Sequence, residues 1–301
     1  MKKPIWLQYL EYVPLRIILT LTKVLPYRLS IKIGRTIGLF VYYIAGGLRK
    51  TANEGIKTAF GDIYSKEKQR NIVRNSFKYL GQTTLEFIQL PKLKKNKKVI
   101  QLVDFGDSLN VMESLLKRGK GVIAISAHIG NWEIMTAATS LLGYDINVIV
   151  RLLDNPKLDK YVESFREMFG TKVIAKQDAL KYGFKELKNN NVLAFLIDQN
   201  WAVGGVFVPF FGKLAATVTG PAFFAYKLGE TPIMAAYTYR ENGIHKVVFE
   251  EIPVIKVDDR DEFIKINTAN FTKYYEDIVR KHPEQWLWVH PRWKKRPDTE
   301  S

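Results

Sequence analysis

A histidine and a glutamate stand five positions apart in the segment His128-Ile129-Gly130-Asn131-Trp132-Glu133. An imidazole can act as a general base when a carboxylate keeps its other ring nitrogen protonated. On an ideal helix, five residues turn through about 500°, which would leave the two side chains about 140° apart. We therefore expect His128 in a turn, Asn131 as the helix N-cap, and Glu133 in the first helical turn, reaching back to the imidazole. A capping glutamate that follows a non-catalytic histidine by chance is the open alternative.

The residues before His128 place it at the edge of a sheet. Gly121–Ala127 is a short apolar run rich in β-branched residues, which is typical of a buried parallel strand. Ligands and catalytic groups of open α/β sheets collect just beyond the carboxyl ends of such strands. His128 is therefore a better catalytic candidate than a histidine in a helix interior.

Composition limits the class of partner. The 301-residue chain carries 46 Lys and Arg against 30 Asp and Glu, a formal net charge of +16. A field of that sign attracts nucleic acid, anionic lipid or an acidic carrier protein. The sequence has no nucleic-acid-binding signature, so lipid or a carrier protein is favoured and no nucleic acid is expected. There is no cysteine, which excludes disulfides, thiolate nucleophiles and cysteine-ligated metals.

The N-terminal region predicts contact with a membrane surface. The apolar stretch from Ile5 to Leu25 is interrupted by charged residues and a proline, and Thr36 to Leu48 is too short to span a bilayer. Both stretches are typical of helices that lie in the membrane interface, although ordinary packing on the core is an alternative. No signal-peptide cleavage site follows them. Five lysines between Lys92 and Lys98 indicate a solvated boundary loop.

We expect two regions: a helical, membrane-associated segment over residues 1–90 and an α/β domain over residues 99–301. Short apolar runs alternate with helical patterns in the second region, as in parallel βαβ units. This predicts an α/β fold with a mostly parallel sheet flanked by helices. The predicted strands are Gly121–Ala127, Ile146–Val150, Lys172–Ile174, Val192–Ile197, Thr231–Tyr239 and Lys246–Glu250, and the predicted helices are Ser65–Leu90, Asn131–Leu142, Pro156–Phe169, Ala179–Asn189, Thr219–Leu228 and Asp261–Arg280.

Two further segments are rich in apolar or aromatic residues. Gly204–Gly212 is an apolar loop bounded by glycines, a type that often binds an apolar ligand; a hairpin packed on the core is the alternative. Trp286, Trp288 and Trp293 stand beside four basic residues, which suits a membrane interface as well as core packing.

Several kinds of chemistry are disfavoured by motifs that the sequence lacks. It has no G-x-S-x-G elbow of an α/β hydrolase, no H-E-x-x-H zinc motif, and no glycine-rich phosphate-binding or dinucleotide-binding loop. We therefore expect no cofactor and no metal. Direct transfer remains, in which a base activates an acceptor hydroxyl against a donor that is already activated.

The motifs together resemble those of the bacterial lipid A biosynthesis acyltransferases, the lauroyl and myristoyl transferases of the lysophospholipid acyltransferase superfamily. His128–Glu133 is similar to that superfamily's motif of a histidine, four residues and an acidic residue. The resemblance extends in order over most of residues 120 to 297, through the segments Val150–Pro156, Ile197–Asn200, Val206–Gly212, Ala216–Gly220 and Pro283–His290.

The resemblance implies a glycerolipid acyltransferase-like fold and transfer of an acyl chain from acyl carrier protein, or acyl-CoA, to a lipid hydroxyl. It implies that His128 is the general base and Glu133 its orienting partner, with no acyl-enzyme intermediate. Substrate-binding residues would be Asn131, Arg151 as a phosphate clamp, Asp198, Gln199 and Thr217. An ion pair for Arg151, a turn or cap for Asp198 and Gln199, and a cap for Thr217 are the alternatives.

The acceptor is the open part of this hypothesis. The superfamily's glycerol-phosphate branch carries Glu-Gly-Thr-Arg where this chain has Asp198-Gln199-Asn200, which argues against a simple lysophosphatidate acceptor. We expect O-acyl transfer, with a lipid A precursor as acceptor, at the cytoplasmic face of the inner membrane. An N-acyltransferase and a non-catalytic basic protein that binds anionic lipid are the alternatives.

Overall fold

A computed structural model describes residues 4–61, 63–201 and 204–297. Its main sheet has seven strands in the order β1-β9-β8-β2-β5-β3-β4, and all neighbouring pairs are parallel except β8 with β9. A separate antiparallel hairpin joins β6 and β7. The strands are β1 (Val103–Asp104), β2 (Val122–Ser126), β3 (Ile146–Val150), β4 (Lys172–Ala175), β5 (Val192–Leu196), β6 (Val206–Phe210), β7 (Lys213–Thr217), β8 (Ile233–Glu241) and β9 (Ile244–Ile252).

Helices cover both faces of this sheet, and the apolar core is divided accordingly into two main clusters. The helices are α1 (Ile5–Lys23), α2 (Tyr27–Ile44), α3 (Gly46–Phe60), α4 (Lys66–Lys94), α5 (Ser108–Leu116), α6 (Trp132–Leu141), α7 (Pro156–Glu167), α8 (Ala179–Lys188), α9 (Gly220–Leu228) and α10 (Arg260–Lys281). Every β2 side chain is buried, as expected of a central parallel strand covered on both faces. The predicted α/β fold with a mostly parallel sheet is confirmed.

The predicted strands and helices of residues 99–301 lie within two or three residues of the observed ones. The predicted interfacial helix Thr36–Leu48 instead covers the end of α2 and the start of α3, and the predicted helix Ser65–Leu90 ends too early. The observed helix α4 continues through Pro91 to Lys94, and a short 3₁₀ turn over Lys95–Lys97 follows. The first lysines of the expected loop therefore belong to the last helical turn, where cations are favoured by the helix dipole. Lys92 also donates to the carbonyl oxygen of Leu25 at 2.8 Å.

Two segments, the glycine-bounded loop and the tryptophan-rich segment near the C-terminus, pack in the core, which is the second alternative predicted for each. Gly204–Gly212 contributes β6 of the hairpin, in which Val208 and Phe210 are buried, so the core-packed hairpin is the correct alternative. Trp286 and Trp288 are likewise buried, and they pack against each other at 4.5 Å between ring centroids. The predicted placement of these two indoles at a membrane interface is wrong, because they fill the core beside the hairpin.

The N-terminal helices pack on the rest of the molecule mainly through α2 and α4. Gly34 and Gly38 of α2 face Gly81 of α4 so closely that a Cβ atom at any of the three positions would lie 2.6 Å or less from backbone oxygen. Small residues allow this approach of two helix backbones. Among the helices of residues 4–61, 63–201 and 204–297, none is long and apolar enough to cross a bilayer.

Candidate active site

The parallel pairing of β2 with β5 brings His128 next to Asp198. Ser126 of β2 pairs with Leu196 of β5, and each chain continues two residues beyond that pair. Because the strands are parallel, these extensions leave the same edge of the sheet side by side. His128 Nδ1 lies 2.8 Å from Asp198 Oδ1, and the His128 backbone N–H donates to Asp198 Oδ2 at 2.8 Å.

Asp198 is held ionised by its surroundings. Burial would raise the pKa of its carboxyl, but the His128 charge and the hydrogen bonds from His128 and Trp286 outweigh burial and lower the pKa below its ordinary value. The Trp286 indole N–H donates to Asp198 Oδ2 at 2.7 Å. An ionised Asp198 holds the proton on His128 Nδ1, so that in the neutral imidazole Nε2 carries the lone pair that can take a substrate proton.

The His128 ring lines a small opening, and its Nε2 accepts a hydrogen bond from the Gln199 side-chain amide. Gln199 Nε2 lies 3.3 Å from His128 Nε2, and the Trp132 ring packs edge-on against the imidazole at 4.7 Å. The His128 side chain is 14% exposed, against 3% for Asp198. A pocket lined by Tyr79, Thr83, His128, Trp132 and Leu287, among other residues, surrounds the imidazole, so a reactant can approach it from solvent.

The backbone after His128 is held by the segment that follows α10. Ile129 forms an antiparallel bridge with Trp286, Gly130 N–H donates to Gln285 O at 2.9 Å, and Leu287 N–H donates to His128 O at 3.1 Å. Gly130 has a φ of +60°, and a Cβ atom there would lie 2.0 Å from the Thr238 carbonyl oxygen. The turn therefore requires glycine both for its backbone conformation and for this close approach.

Glu133 binds Arg166 in this structure. Its carboxylate accepts from Arg166 Nη2 at 2.6 Å and Nε at 3.0 Å, and from the Trp132 indole at 3.2 Å. Asp198, and not Glu133 as predicted, accepts the hydrogen bond of the His128 imidazole. The physical reason is that the first turn of α6 directs Glu133 towards α7, which carries Arg166, whereas β5 delivers a carboxylate directly to the imidazole.

Asn131 is the N-cap of α6, as predicted, because its Oδ1 accepts from the Ile134 N–H at 3.1 Å. Its side chain is buried, and its amide nitrogen donates to Glu86 Oε2 at 2.8 Å. This contact connects the catalytic turn to α4 and so uses the polar atoms that the sequence hypothesis assigned to substrate.

Glu86 is the centre of a buried ion-pair network. It is 0% exposed and accepts from Tyr27 and Gln82 at 3.0 and 3.1 Å, and it also pairs with Arg240 and His245. Burial raises the pKa of this carboxyl, but the hydrogen bonds and charges of His245, Arg240 and Asn131 lower it to about 2. The carboxylate thus joins α2, α4, β8, β9 and the cap of α6.

Two other residues assigned to substrate have protein partners. The Arg151 side chain is 72% exposed and pairs with Asp154 at 3.2 Å, which is the predicted alternative of a surface ion pair. Thr217 is fully buried, and its hydroxyl accepts from Arg292 Nη2 at 2.5 Å. Arg292 also donates to the Gln199 and Ala216 carbonyl oxygens. Thr217 and Arg292 therefore support the loop that carries Asp198.

Sequence reasoning missed Glu86, Arg166, Trp286 and Arg292. Glu86 and Arg166 lie on helices at positions that the helical periodicity alone marks as ordinary polar residues. Trp286 and Arg292 lie in a segment whose composition fitted a membrane interface. An acidic residue inside the apolar face of α4, where its neighbours Leu85 and Ile88 are buried, was the one available signal.

Trp132 also lines a second, apolar pocket. Its cavity volume is about 80 Å³, below the about 300–1,000 Å³ usual for small-ligand sites. The ion pair of Glu133 and Arg166 lines it together with apolar side chains. The apolar lining includes Met112, Ala124, Met135, Ile146, Val148, Val192, Ala194, Met234 and Phe249.

The arrangement can remove a proton from a hydroxyl next to a site for an apolar chain. A histidine with one nitrogen fixed by a buried carboxylate is suited to general-base catalysis. Within the part of the chain that the structure describes, no group of three or more His, Asp or Glu side chains could hold a metal ion.

Known proteins are similar to this sequence over nearly its whole length. The family profile described as bacterial lipid A biosynthesis acyltransferase matches residues 3–295. A lipid A biosynthesis acyltransferase of Haemophilus influenzae is 23% identical over 94% of this chain and 87% of its own. The lipid A biosynthesis lauroyltransferase of Escherichia coli is 23% identical over 93% of this chain and 90% of its own.

A phosphatidylinositol mannoside acyltransferase of Mycobacterium tuberculosis is also similar, with 23% identity over 72% of this chain and 69% of its own. The matched regions include His128 and Asp198 within a profile that covers almost the full chain. The chain is an acyltransferase, and it belongs to the bacterial lipid A biosynthesis acyltransferase family.

Proposed function

We propose that this enzyme transfers a fatty acyl chain from a thioester donor, acyl carrier protein or acyl-CoA, to a hydroxyl group of a glycolipid of the lipid A precursor class. The single observation that carries this proposal is the 2.8 Å contact between His128 Nδ1 and Asp198 Oδ1. It supplies a base whose ring lines an opening next to Trp132, and Trp132 also lines an apolar pocket. The similarity to a lipid A biosynthesis lauroyltransferase and to a phosphatidylinositol mannoside acyltransferase supports a glycolipid acceptor.

The proposed reaction needs no covalent enzyme intermediate. His128 Nε2 removes the proton of the acceptor hydroxyl as its oxygen attacks the thioester carbonyl carbon. The tetrahedral intermediate collapses by breaking the carbon–sulfur bond, and the departing thiolate takes the proton from His128. Asp198 stabilises the imidazolium that exists between the two proton transfers. The products are an ester and a free thiol, and the enzyme returns to its starting state.

The apolar pocket is the proposed site of the donor's acyl chain. Trp132 lines both this pocket and the opening around His128. A chain whose end lies in the apolar pocket would pass Trp132, so that its carbonyl carbon would lie near the imidazole. We assign Glu133 a positioning role in this arrangement, because its ion pair with Arg166 joins α6 to α7 at the pocket wall. Gln199, 3.3 Å from His128 Nε2, is the best placed of the predicted substrate-binding residues to contact a reactant.

The exposed faces of α1 and α2 are proposed to contact the membrane. Their exposed apolar side chains recur three or four positions apart, which places them along one side of each helix. These side chains are Trp6, Leu10, Val13 and Ile17 on α1 and Ile37, Phe40 and Ile44 on α2. Exposed apolar stripes of this length mark a surface that binds lipid or protein. We place the enzyme on the cytoplasmic face of the inner membrane, where a carrier-protein or CoA thioester is available.

Acyl transfer in vitro tests the proposal. Purified enzyme is incubated with lauroyl and palmitoyl thioesters of carrier protein and of CoA, and products are identified by mass spectrometry. The acceptors are a phosphorylated glucosamine disaccharide lipid with 3-hydroxyacyl chains and, in competition, phosphatidylethanolamine as an amine. We expect an ester product on the glycolipid, and a loss of about a hundredfold to ten-thousandfold in His128→Ala.

His282→Gln is the matched control, since His282 packs on Tyr239 away from the imidazole pocket. Full activity of a folded His128→Ala variant would overturn the mechanism. Acylation of the amine in preference to the hydroxyl would instead identify an N-acyltransferase.

A further inference from the structure

Three cations of α2 and α4 lie close enough to interact electrostatically, and in the part of the chain that the structure describes none of them forms an ion pair. Arg35 of α2 donates to Gln82 Oε1 at 3.2 Å, and its guanidinium lies 5.3 Å from the centre of the Tyr79 ring. Arg74 and Lys78 are one helical turn apart on α4, on the side that faces Arg35. We call Arg35, Arg74 and Lys78 the cation cluster. All three side chains are half-buried.

The surroundings of the cluster do not neutralise it. Within residues 4–61, 63–201 and 204–297, none of the three cations forms an ion pair with a carboxylate. Arg74 Nε is buried and has no hydrogen-bond partner. The carboxylate that interacts electrostatically with the cluster is that of Glu284, which accepts a hydrogen bond from Asn75 at 3.0 Å. One carboxylate beside three cations leaves an excess of positive charge.

This excess has a measurable electrostatic consequence. Partial burial lowers the pKa of the Lys78 ammonium, and the charges of Arg74 and Arg35 lower it further, with only Glu284 opposing them. Buried donors without acceptors and unpaired like charges both cost stability. A protein retains such a group most readily where a ligand supplies the missing negative charge and acceptor oxygens.

The cluster lies within reach of the reaction. Tyr79, under Arg35, lines the same pocket as His128. Thr83 donates to the Gly130 carbonyl oxygen at 3.4 Å, so this part of α4 touches the catalytic turn. With a rise of 1.5 Å per residue, Lys78 and Arg74 lie about 8 and about 14 Å along the helix from Thr83. A group bound there would be several covalent bonds from a reacting atom at His128.

We infer that Arg35, Arg74 and Lys78 form a binding site for a phosphate group of one of the two reactants, several bonds removed from the group that reacts at His128. Guanidinium groups bind phosphate oxygens with two parallel hydrogen bonds, and an ammonium adds a point charge. The phosphate belongs either to the acceptor lipid or to the pantetheine arm of the donor. This inference rests on the proposed function, because it assigns a part of the same reactants.

General attraction of a basic surface to anionic lipid is a weaker explanation. Residues that act only through long-range attraction are usually extended and solvated, whereas these three side chains are half-buried. A shaped site should discriminate between a reactant with its phosphate and the same reactant without it. A diffuse basic surface should respond to the charge of the membrane alone.

Binding measurements on the full-length chain separate these cases. The double variant Arg74→Gln/Lys78→Gln removes two of the three charges of the cation cluster. Lys181→Gln/Lys265→Gln removes the same charge from exposed positions on α8 and α10 and is the matched control. Lys78→Gln alone is the milder variant if the double one unfolds, and thermal melting confirms that each protein is folded.

The donor arm compares the affinities for 4′-phosphopantetheine and for pantetheine, which differ only in the phosphate. The acceptor arm compares phosphatidylcholine vesicles that contain a phosphorylated glucosamine lipid with vesicles that contain the same lipid after phosphatase treatment. We expect the double variant to lose about tenfold to a hundredfold in affinity for the phosphorylated probe in one arm, with the dephosphorylated probe unaffected. The arm that responds identifies the source of the phosphate.

Equal affinities of wild type, the cluster variant and the control in both arms would overturn the inference. So would an equal loss in the cluster variant and the control, or a loss that vesicles of phosphatidylglycerol reproduce, because either result indicates general attraction to charge. Neither readout requires turnover. The phosphate-binding measurement can therefore be made even if the proposed acyl transfer is wrong. If the phosphate inference is wrong, the role of His128 as base is still tested by the acyl-transfer assay.

Discussion

His128 Nδ1 and Asp198 Oδ1 lie 2.8 Å apart although 70 positions separate the two residues in the chain. The contact forms because β2 and β5 run parallel and in register, so that residues two beyond each strand meet at one edge. The same carboxylate accepts from the His128 backbone and from Trp286 through its other oxygen. The acid that orients the base is therefore itself fixed on both oxygens.

Asp198→Asn should abolish most activity while the protein stays folded. The two N–H donors at Oδ2 require an oxygen there, so the new amide nitrogen must face His128 Nδ1. That nitrogen would donate, which forces the imidazole proton onto Nε2 and removes the base. The corresponding change in a serine protease triad lowers kcat about ten-thousandfold, and we expect about a thousandfold to ten-thousandfold here with little change in KM.

Single-turnover rates of Asp198→Asn and Glu133→Gln measure this difference directly. Glu133→Gln weakens the ion pair with Arg166 and should cost about tenfold or less. If Glu133→Gln were inactive and Asp198→Asn retained wild-type kcat, the orienting carboxylate would be Glu133, as the sequence motif suggested.

Gly130→Ala should destabilise the enzyme severely. A Cβ atom there meets the Thr238 carbonyl oxygen at 2.0 Å, in a backbone conformation of positive φ. Gly143→Ala is the matched control, because its φ of +100° is also unfavourable but no atom lies within 4 Å of the added carbon. We expect a loss of about 1–3 kcal/mol in the control and a larger loss in Gly130→Ala, measured by urea unfolding. Equal losses at both positions would show that the approach to Thr238 has no energetic role.

The sequence predicted the sheet edge correctly because apolar periodicity reports which strands are central and buried. It paired His128 with Glu133, whereas in the structure the partner of the imidazole is Asp198. Spacing along the chain indicates only which residues close in sequence can interact. The register of Ser126 with Leu196 is instead set by packing across the sheet. The cap at Asn131, which depends on local backbone geometry alone, was predicted correctly.

The tryptophans near the C-terminus show a second limit of sequence reasoning. An indole beside basic residues fits a membrane interface and a protein core equally well, since its ring is apolar and its N–H needs one acceptor. Trp286 finds that acceptor in Asp198, and Trp288 finds it in the Pro283 carbonyl oxygen. Both acceptors come from tertiary structure, which composition does not report.

Ala194→Met should shorten the acyl chain that the enzyme accepts. Ala194 of β5 lines the apolar pocket, and a larger side chain there occupies space that the end of a long chain would need. We expect the ratio of kcat/KM for palmitoyl over octanoyl donors to fall about tenfold, because a few methylenes are worth about 1–3 kcal/mol. Rates with each donor and a melting curve for the variant test this. An unchanged ratio in a folded variant would place the acyl chain elsewhere.

Glu86→Gln should reveal an acid-sensitive component of stability. The pKa of Glu86 in the folded protein is about 2, below its ordinary value of 4.5, so the folded state favours the ionised form. A group shifted downwards contributes its full stabilisation above about pH 4.5 and loses it as the pH falls towards 2. Removing the charge from the Arg240 and His245 network should cost about 3–5 kcal/mol at pH 7.

Urea unfolding at pH 7, 5 and 3.5 measures this effect. The difference in unfolding free energy between variant and wild type should become smaller at the lowest pH. The control is Glu54→Gln, at a side chain that is 66% exposed, which should change stability by about 1 kcal/mol or less at every pH. A difference of constant size from pH 7 to pH 3.5 would mean that the Glu86 carboxylate stabilises the fold by its shape and not by its charge.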